Sequence, residues 1–177
     1  HLKVVSLFFG IDDPGPTISA IIQLGSVLAL LWYFRSDFLK QRSHTFKNFF
    51  IYLSHDRLVR SIFVGTIPII FLGGIIKLFL PYFFDSILRS NLSIALLSFF
   101  TAIFMYIAET TKKGSINLRN HKYIDSFLIG LSQAFAIFPG VSRSGITIST
   151  GLLFGWERGD AAKFSFLLGI PAISFAA

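Results

Sequence analysis

An arginine between two serines, Ser142-Arg143-Ser144, stands in the middle of an apolar stretch. The string opens with Pro139-Gly140 and runs on through Gly145, Thr147 and Ser149. Holding an anion is the chemistry these residue types suit. Arg143 offers a planar fork of donors matched to two oxygens of one phosphate. Ser142, Ser144 and Thr147 add hydroxyl donors. Gly140 and Gly145 let the backbone turn tightly and approach a ligand. A helix opening at Ser144 and Gly145 would point free N–H groups at the same place. An arginine inside a membrane costs about 2.5–3.5 kcal/mol on insertion scales, so it needs an anionic partner there. The competing reading is that Arg143 pairs with Glu109 or a carbonyl and braces a helix break. The hydroxyls, glycines and helix start together favour the anion site.

The elements that must position this string are apolar helices. The chain has 177 residues, 53% hydrophobic and 14% charged, with 22 Phe and a mean hydropathy of +0.68. Water-soluble domains carry about 25% charged residues, so lipid is the expected solvent. A hydrocarbon core about 30 Å thick takes roughly 20 apolar residues in a helix. Runs over 17–34, 61–84 and 91–108 meet that length, and a fourth starts near Ala161. None alternates with period two, which excludes barrel strands. Ile124–Phe138 and Gly145–Gly155 are too short to span and meet at the Pro139-Gly140 break. Two short arms joined by such a break read as a re-entrant hairpin, tolerated only inside protein or along a wet cavity.

Charge sets the orientation. The net charge is +7, but the basic residues lie between apolar runs and form no stripe, which argues against a nucleic-acid partner. Arg35, Lys40, Arg42, Lys47, Arg57 and Arg60 fill one loop, and Lys112, Lys113, Arg119 and Lys122 another. Two spanning helices separate these loops, so both are expected on the cytoplasmic side. A weak internal repeat pairs Leu7-Phe-Phe-Gly-Ile-Asp12 with Leu152-Leu-Phe-Gly-Trp-Glu157. The charge pattern gives the two copies opposite orientations, as in inverted-topology folds whose sites form where broken helices meet. The expected fold is therefore an all-α polytopic membrane protein, an inverted repeat with re-entrant hairpins, in a single membrane-embedded domain over 1–177.

The string PGVSRSGITIS, with Gln133 six residues ahead of it, resembles the second signature of undecaprenyl-diphosphate phosphatases of the bacitracin-resistance type. Ile22-Gln-Leu-Gly-Ser26 resembles the segment after that family's first signature, and Lys163-Phe-Ser-Phe-Leu-Leu-Gly-Ile-Pro171 the helix after the second. The first signature itself leads from glutamates into a Ser-Ser-Thr-Gly-His turn, of which only the last residue matches, as His1. A chain opening on His1 and ending in an apolar run is expected to be a fragment at both ends, inactive alone.

The resemblance implies an integral membrane phosphatase of the bacterial plasma membrane. It would hydrolyse undecaprenyl diphosphate to the monophosphate and phosphate, with the site facing outside. His1, Arg143, Ser142 and Thr147 are then the expected catalytic residues. Ser144, Gly140, Gly145 and Gln133 are expected to bind substrate. A divalent cation, Mg or Ca, is implied, with ligands expected ahead of His1. The implied partners are the polyprenyl diphosphate, membrane lipids and, as one open assembly, a second copy of the chain. A lipid-phosphate transporter or flippase with the same anion-binding hairpin is the alternative, since inverted repeats with broken helices suit transport too. The chain has no Cys, which excludes disulfides and thiolate chemistry. His44, His55 and His121 lie in basic loops and are expected to be solvated. Asp12 and Asp13 are expected in a solvated outer loop, and Glu109 at the interface. Gln23 is open between a helix contact and the site.

Overall fold

In this computed structural model, residues 8–10, 15–35, 56–79, 90–111 and 114–176 are described. Every element among them is helical: α1 Gly15–Tyr33, α2 Arg57–Phe79, α3 Asn91–Glu109, α4 Tyr123–Gln133, α5 Arg143–Leu153 and α6 Arg158–Ala176. A 3-10 turn, Ala134–Ile137, prolongs α4. The long apolar runs correspond to α1, α2, α3 and α6, and the short arms to α4 and α5. α2 and α3 are long and apolar enough to cross a membrane. Their outward side chains are apolar, with Phe63 70% and Phe99 62% exposed. Several hydroxyls and an amide lie inside: Ser61, Thr66, Thr101, Ser126 and Gln133 are all buried. Water selects the reverse of this arrangement.

The chain divides into two compact units, His1–Ser43 with Gly169–Ala177, and His44–Leu168. The first contains α1. Just beyond that helix, the Arg35 guanidinium donates to the Trp32 carbonyl at 2.8 Å and lies 4.2 Å from the Trp32 ring centre. Gln23 on α1 is exposed. The second unit holds α2 to α5 and the first turns of α6.

Glycine decides how closely α2 and α4 approach. A Cβ on Gly130 would lie 1.9 Å from the Gly65 carbonyl oxygen. One on Gly65 would lie 2.8 Å from the Ser126 carbonyl oxygen. Only hydrogen fits at either position, so the two backbones touch, as small residues permit in membrane-type packing.

α4 and α5 form a hairpin. Ile129 of α4 packs beside Gly151 of α5, 3.7 Å from where a Gly151 Cβ would stand. Its feet are stitched by a parallel bridge between Ile116 and Trp156. The Ile116 N–H donates to the Gly155 carbonyl at 3.0 Å and the Glu157 N–H to the Ile116 carbonyl at 2.7 Å. Asp160 adds a bond, accepting from the Leu118 N–H at 3.0 Å. Arg57 opens α2 and donates to the carbonyls of Arg119 and His121. The hairpin tip lies elsewhere. There the Ser98 hydroxyl of α3 donates to the Gly140 carbonyl at 3.0 Å. Gly140 has φ +100°, and a Cβ on it would lie 2.5 Å from the Ile94 carbonyl oxygen. The tip thus meets α3 near its start, whereas Arg158, just past the feet, pairs with Glu109 at its end, 2.7 Å away.

His121 departs from the expectation of a solvated loop: it is fully buried. The bridge to Trp156 draws its loop inward, and its ring lies 5.0 Å from Trp156 and 6.2 Å from Phe164. Nε2 is 2.6 Å from the Ser61 hydroxyl, which itself donates to the Arg57 carbonyl at 2.8 Å. Burial first, and the Arg57 guanidinium second, push the imidazole below its ordinary value. Trp156, Phe164, Leu168, Ala161 and Ile129 complete the core around it. His1, Asp12, Asp13, His44 and His55, and the first copy of the repeat apart from residues 8–10, lie outside the described residues.

Candidate anion site

The tip of the hairpin is built by local turns. Phe138 N–H donates to the Phe135 carbonyl and Val141 N–H to the Phe138 carbonyl. Gly140 takes the left-handed conformation that a side chain would strain. Ser142 then caps α5: its hydroxyl accepts from the Gly145 N–H at 3.2 Å, and its carbonyl from the Ile146 N–H at 2.9 Å. The cap leaves the N–H groups of Arg143 and Ser144 without helical acceptors. It also leaves the Ser142 proton free to donate. Gly145 is buried, and a Cβ there would lie 2.7 Å from the Met105 sulfur and 2.9 Å from the Ser142 hydroxyl. A larger residue would push the capping oxygen aside.

Arg143 is half-buried, and its Nη1 is shielded from solvent with no partner among the described residues. Glu109 is engaged by Arg158 instead, so a bracing pair between Arg143 and Glu109 is not formed. A shielded guanidinium nitrogen without an acceptor is costly, and an anion bound at the tip would remove that cost. Ser144, next in the first turn of α5, is half-buried as well.

One turn further in, the geometry changes. Thr147 is 1% exposed. Its hydroxyl lies 2.9 Å from the Arg143 carbonyl, 3.3 Å from the Ser144 carbonyl and 2.6 Å from the Ser165 hydroxyl. It is fully occupied within the protein. Gln133 is completely buried, and neither atom of its amide has a partner among the described residues. Since Ile129 meets Gly151, Gln133 stands one turn closer to the tip, level with Thr147.

The structure therefore gathers Gly140, Ser142, Arg143, Ser144 and Gly145 at one turn, with Thr147 and Gln133 beneath them. His1 lies outside the described residues. Among the described residues no group of three His, Asp or Glu could hold a metal ion. The tip presents a guanidinium and N–H groups, which favour an anion and disfavour a divalent cation, while its hydroxyls can serve either. Sequence reasoning missed Ser165, which reads as one more residue of a lipid-facing run. Its position in an otherwise apolar stretch was the available signal.

Apolar side chains outside, buried glycines and hydroxyls inside, and an arginine nitrogen with no partner among the described residues at a capped hairpin tip define a class: a helical protein whose outer face suits an apolar solvent. The chain belongs to the family described as bacitracin resistance protein BacA, which it matches over residues 1–177. It is 76% identical over 177 residues to an undecaprenyl-diphosphatase of Prochlorococcus marinus (strain MIT 9312), covering 100% of this chain and 66% of that protein. It is 70% identical to the one of strain AS9601, covering 100% of this chain and 65% of the relative. Against that of Trichodesmium erythraeum (strain IMS101) it is 45% identical over 179 residues, 99% of this chain and 57% of the relative. The chain thus spans about 66% of the length of the first of these relatives.

Proposed function

We propose that this chain carries the diphosphate grip of a multi-pass membrane phosphatase of the bacterial plasma membrane. The enzyme hydrolyses undecaprenyl diphosphate to undecaprenyl phosphate and phosphate, recycling the lipid carrier of wall synthesis. The observation that carries this reading is the shielded Arg143 Nη1, without a partner among the described residues, at a helix start capped by Ser142. The names of the relatives supply the substrate class. In the reaction the terminal phosphoanhydride bond breaks, the monophosphate leaves, and a water oxygen ends on phosphorus. Arg143, the N–H groups of Arg143 and Ser144, and the hydroxyls of Ser142 and Ser144 hold the terminal phosphoryl oxygens and stabilise the charge that develops there. Gly140 and Gly145 let the backbone come close, and the buried Gln133 amide lies beneath the grip. His1 acts as acid or base toward the nucleophile or leaving oxygen. A divalent cation, Mg or Ca, would supply charge neutralisation of phosphate oxygens, and carboxylates other than the residues at the tip would have to hold it. The polyprenyl tail lies along the apolar outer faces of the helices. The α4–α5 hairpin enters from the cytoplasmic side, and its tip opens toward the outside.

The test is phosphate release from undecaprenyl diphosphate by the full-length protein in detergent. Arg143→Ala removes the fork and should cost at least about a hundredfold in kcat/KM while membrane insertion is kept. Arg143→Lys keeps the charge but not the two-pronged contact, and should recover little of that loss. Near wild-type turnover by Arg143→Ala would overturn the assignment. Lipid movement between leaflets of liposomes without phosphate release would instead favour the transport reading.

A further inference from the structure

Hydroxyls inside apolar helices usually satisfy themselves by donating to a carbonyl one turn back. Ser26, Thr66, Thr101, Thr150 and Ser174 all do so, toward Ile22, Ile62, Leu97, Ile146 and Ile170. Ser165 of α6 does not. It is 2% exposed, and its hydroxyl reaches across to α5, 2.6 Å from Thr147 Oγ1. Thr147 has one proton and places it on the Arg143 carbonyl at 2.9 Å, with the Ser144 carbonyl second at 3.3 Å. Ser165 must then be the donor and Thr147 the acceptor. The result is a relay of two hydroxyls from α6 to the first carbonyl of α5, each bond polarising the next.

We propose that Ser165 is a positioning residue of the anion site, acting through Thr147. It fixes the first turn of α5, and with it the direction of the Arg143 side chain and of the free N–H groups. Neither hydroxyl touches substrate. Both are enclosed, and Thr147 has no proton left to give. The proposal rests on the phosphatase reading above and names a residue of the same site that the PGVSRSGITIS string does not contain. A grip that points a few tenths of an ångström off line still binds the diphosphate, but stabilises the transferring phosphoryl group less well.

The experiment is a double-mutant cycle on steady-state kinetics of the full-length protein with undecaprenyl diphosphate. Ser165→Ala should lower kcat about five- to twentyfold, with KM changed less than about twofold. Thr147→Val should lower kcat at least as much. Adding Ser165→Ala to Thr147→Val should then cost almost nothing, because the residue through which Ser165 acts is gone. Ser165→Cys keeps the shape with a weak donor and should fall between Ser165→Ala and wild type. It carries the cycle if Ser165→Ala does not fold. Wild-type kcat in Ser165→Ala overturns the proposal. So does an equal loss in both backgrounds, which would make Ser165 mere packing. Absence of phosphate release by the wild-type protein overturns the phosphatase reading instead. The same cycle is then read on affinity for inorganic diphosphate, where lack of coupling overturns the positioning role separately.

Discussion

The half-buried Arg143 and the fully buried His121 lie in stretches of different character, and only one is legible from sequence. Arg143 announces itself because a guanidinium inside an apolar run has few explanations, and the serines and glycines around it narrow them further. His121 gives no such signal. Its neighbours Asn117, Arg119, Asn120 and Lys122 read as a hydrated loop, and burial comes only with the distant bridge to Trp156. Its burial has a pH consequence. The folded imidazole resists protonation, with its pKa depressed by burial and then by Arg57, while the unfolded one titrates at the ordinary 6.5. The unfolded state therefore binds more protons below that value, and stability is lost as pH falls through it. Asp125 works against the shift and Arg57 with it. The thermal midpoint in detergent should drop when pH is taken from about 7.5 to 5.5. His121→Gln should be less stable at the higher pH but flatter across the range. An unchanged slope in that variant would mean that other groups control the acid limb.

At the scale of elements, the two short arms and their break stand where composition and length put them, since α4 and α5 stop short of spanning and Pro139-Gly140 turns between them. What holds the arms against α2 was not legible. A glycine in an apolar helix reads equally as a tolerated defect or as a contact, and only a neighbouring backbone distinguishes them. Gly65 and Gly130 are contacts; Gly74, with nothing within 4 Å of its would-be Cβ, is not. Gly130→Ala should therefore destabilise the protein by about 1–3 kcal/mol or more, because the Gly65 carbonyl cannot yield without moving α2. Gly74→Ala on α2 should leave the melting temperature in detergent unchanged or slightly raised. Equal behaviour of the two variants would show that the crossing is looser than the 1.9 Å approach implies.

For the molecule as a whole, the apolar outside and polar inside were plain from composition, because lipid inverts the partition that water enforces. The inverted repeat was not resolvable in the same way, as its first copy falls mostly outside the described residues. The proposed chemistry also reaches beyond this chain. In that proposal the tip would supply charge stabilisation, but its groups are donors and a fixed cation, none of which activates a nucleophile in line with phosphorus. Residues 1–177 alone, correctly inserted, should release no phosphate from undecaprenyl diphosphate with any divalent cation. A protein of the relatives' full length should be active. Substantial turnover by residues 1–177 would place the whole reaction in the α4–α5 hairpin and remove the need for any carboxylate or nucleophile from outside it.

The way the hairpin is moored to α3 bears on how the proposed enzyme would meet membranes of different thickness. The tip abuts backbone at Ile94, and the pair just beyond the feet ends at Glu109. The ruler between them is about 22 Å of α-helix, at 1.5 Å rise per residue. Lipid forms no part of that ruler. A thicker or thinner bilayer can tilt α3 or stretch the annulus around it, but Arg143 is carried along with the helix that measures its depth. The proposed grip would then be calibrated against the protein, and adaptation to a new lipid composition would fall to the outward-facing phenylalanines.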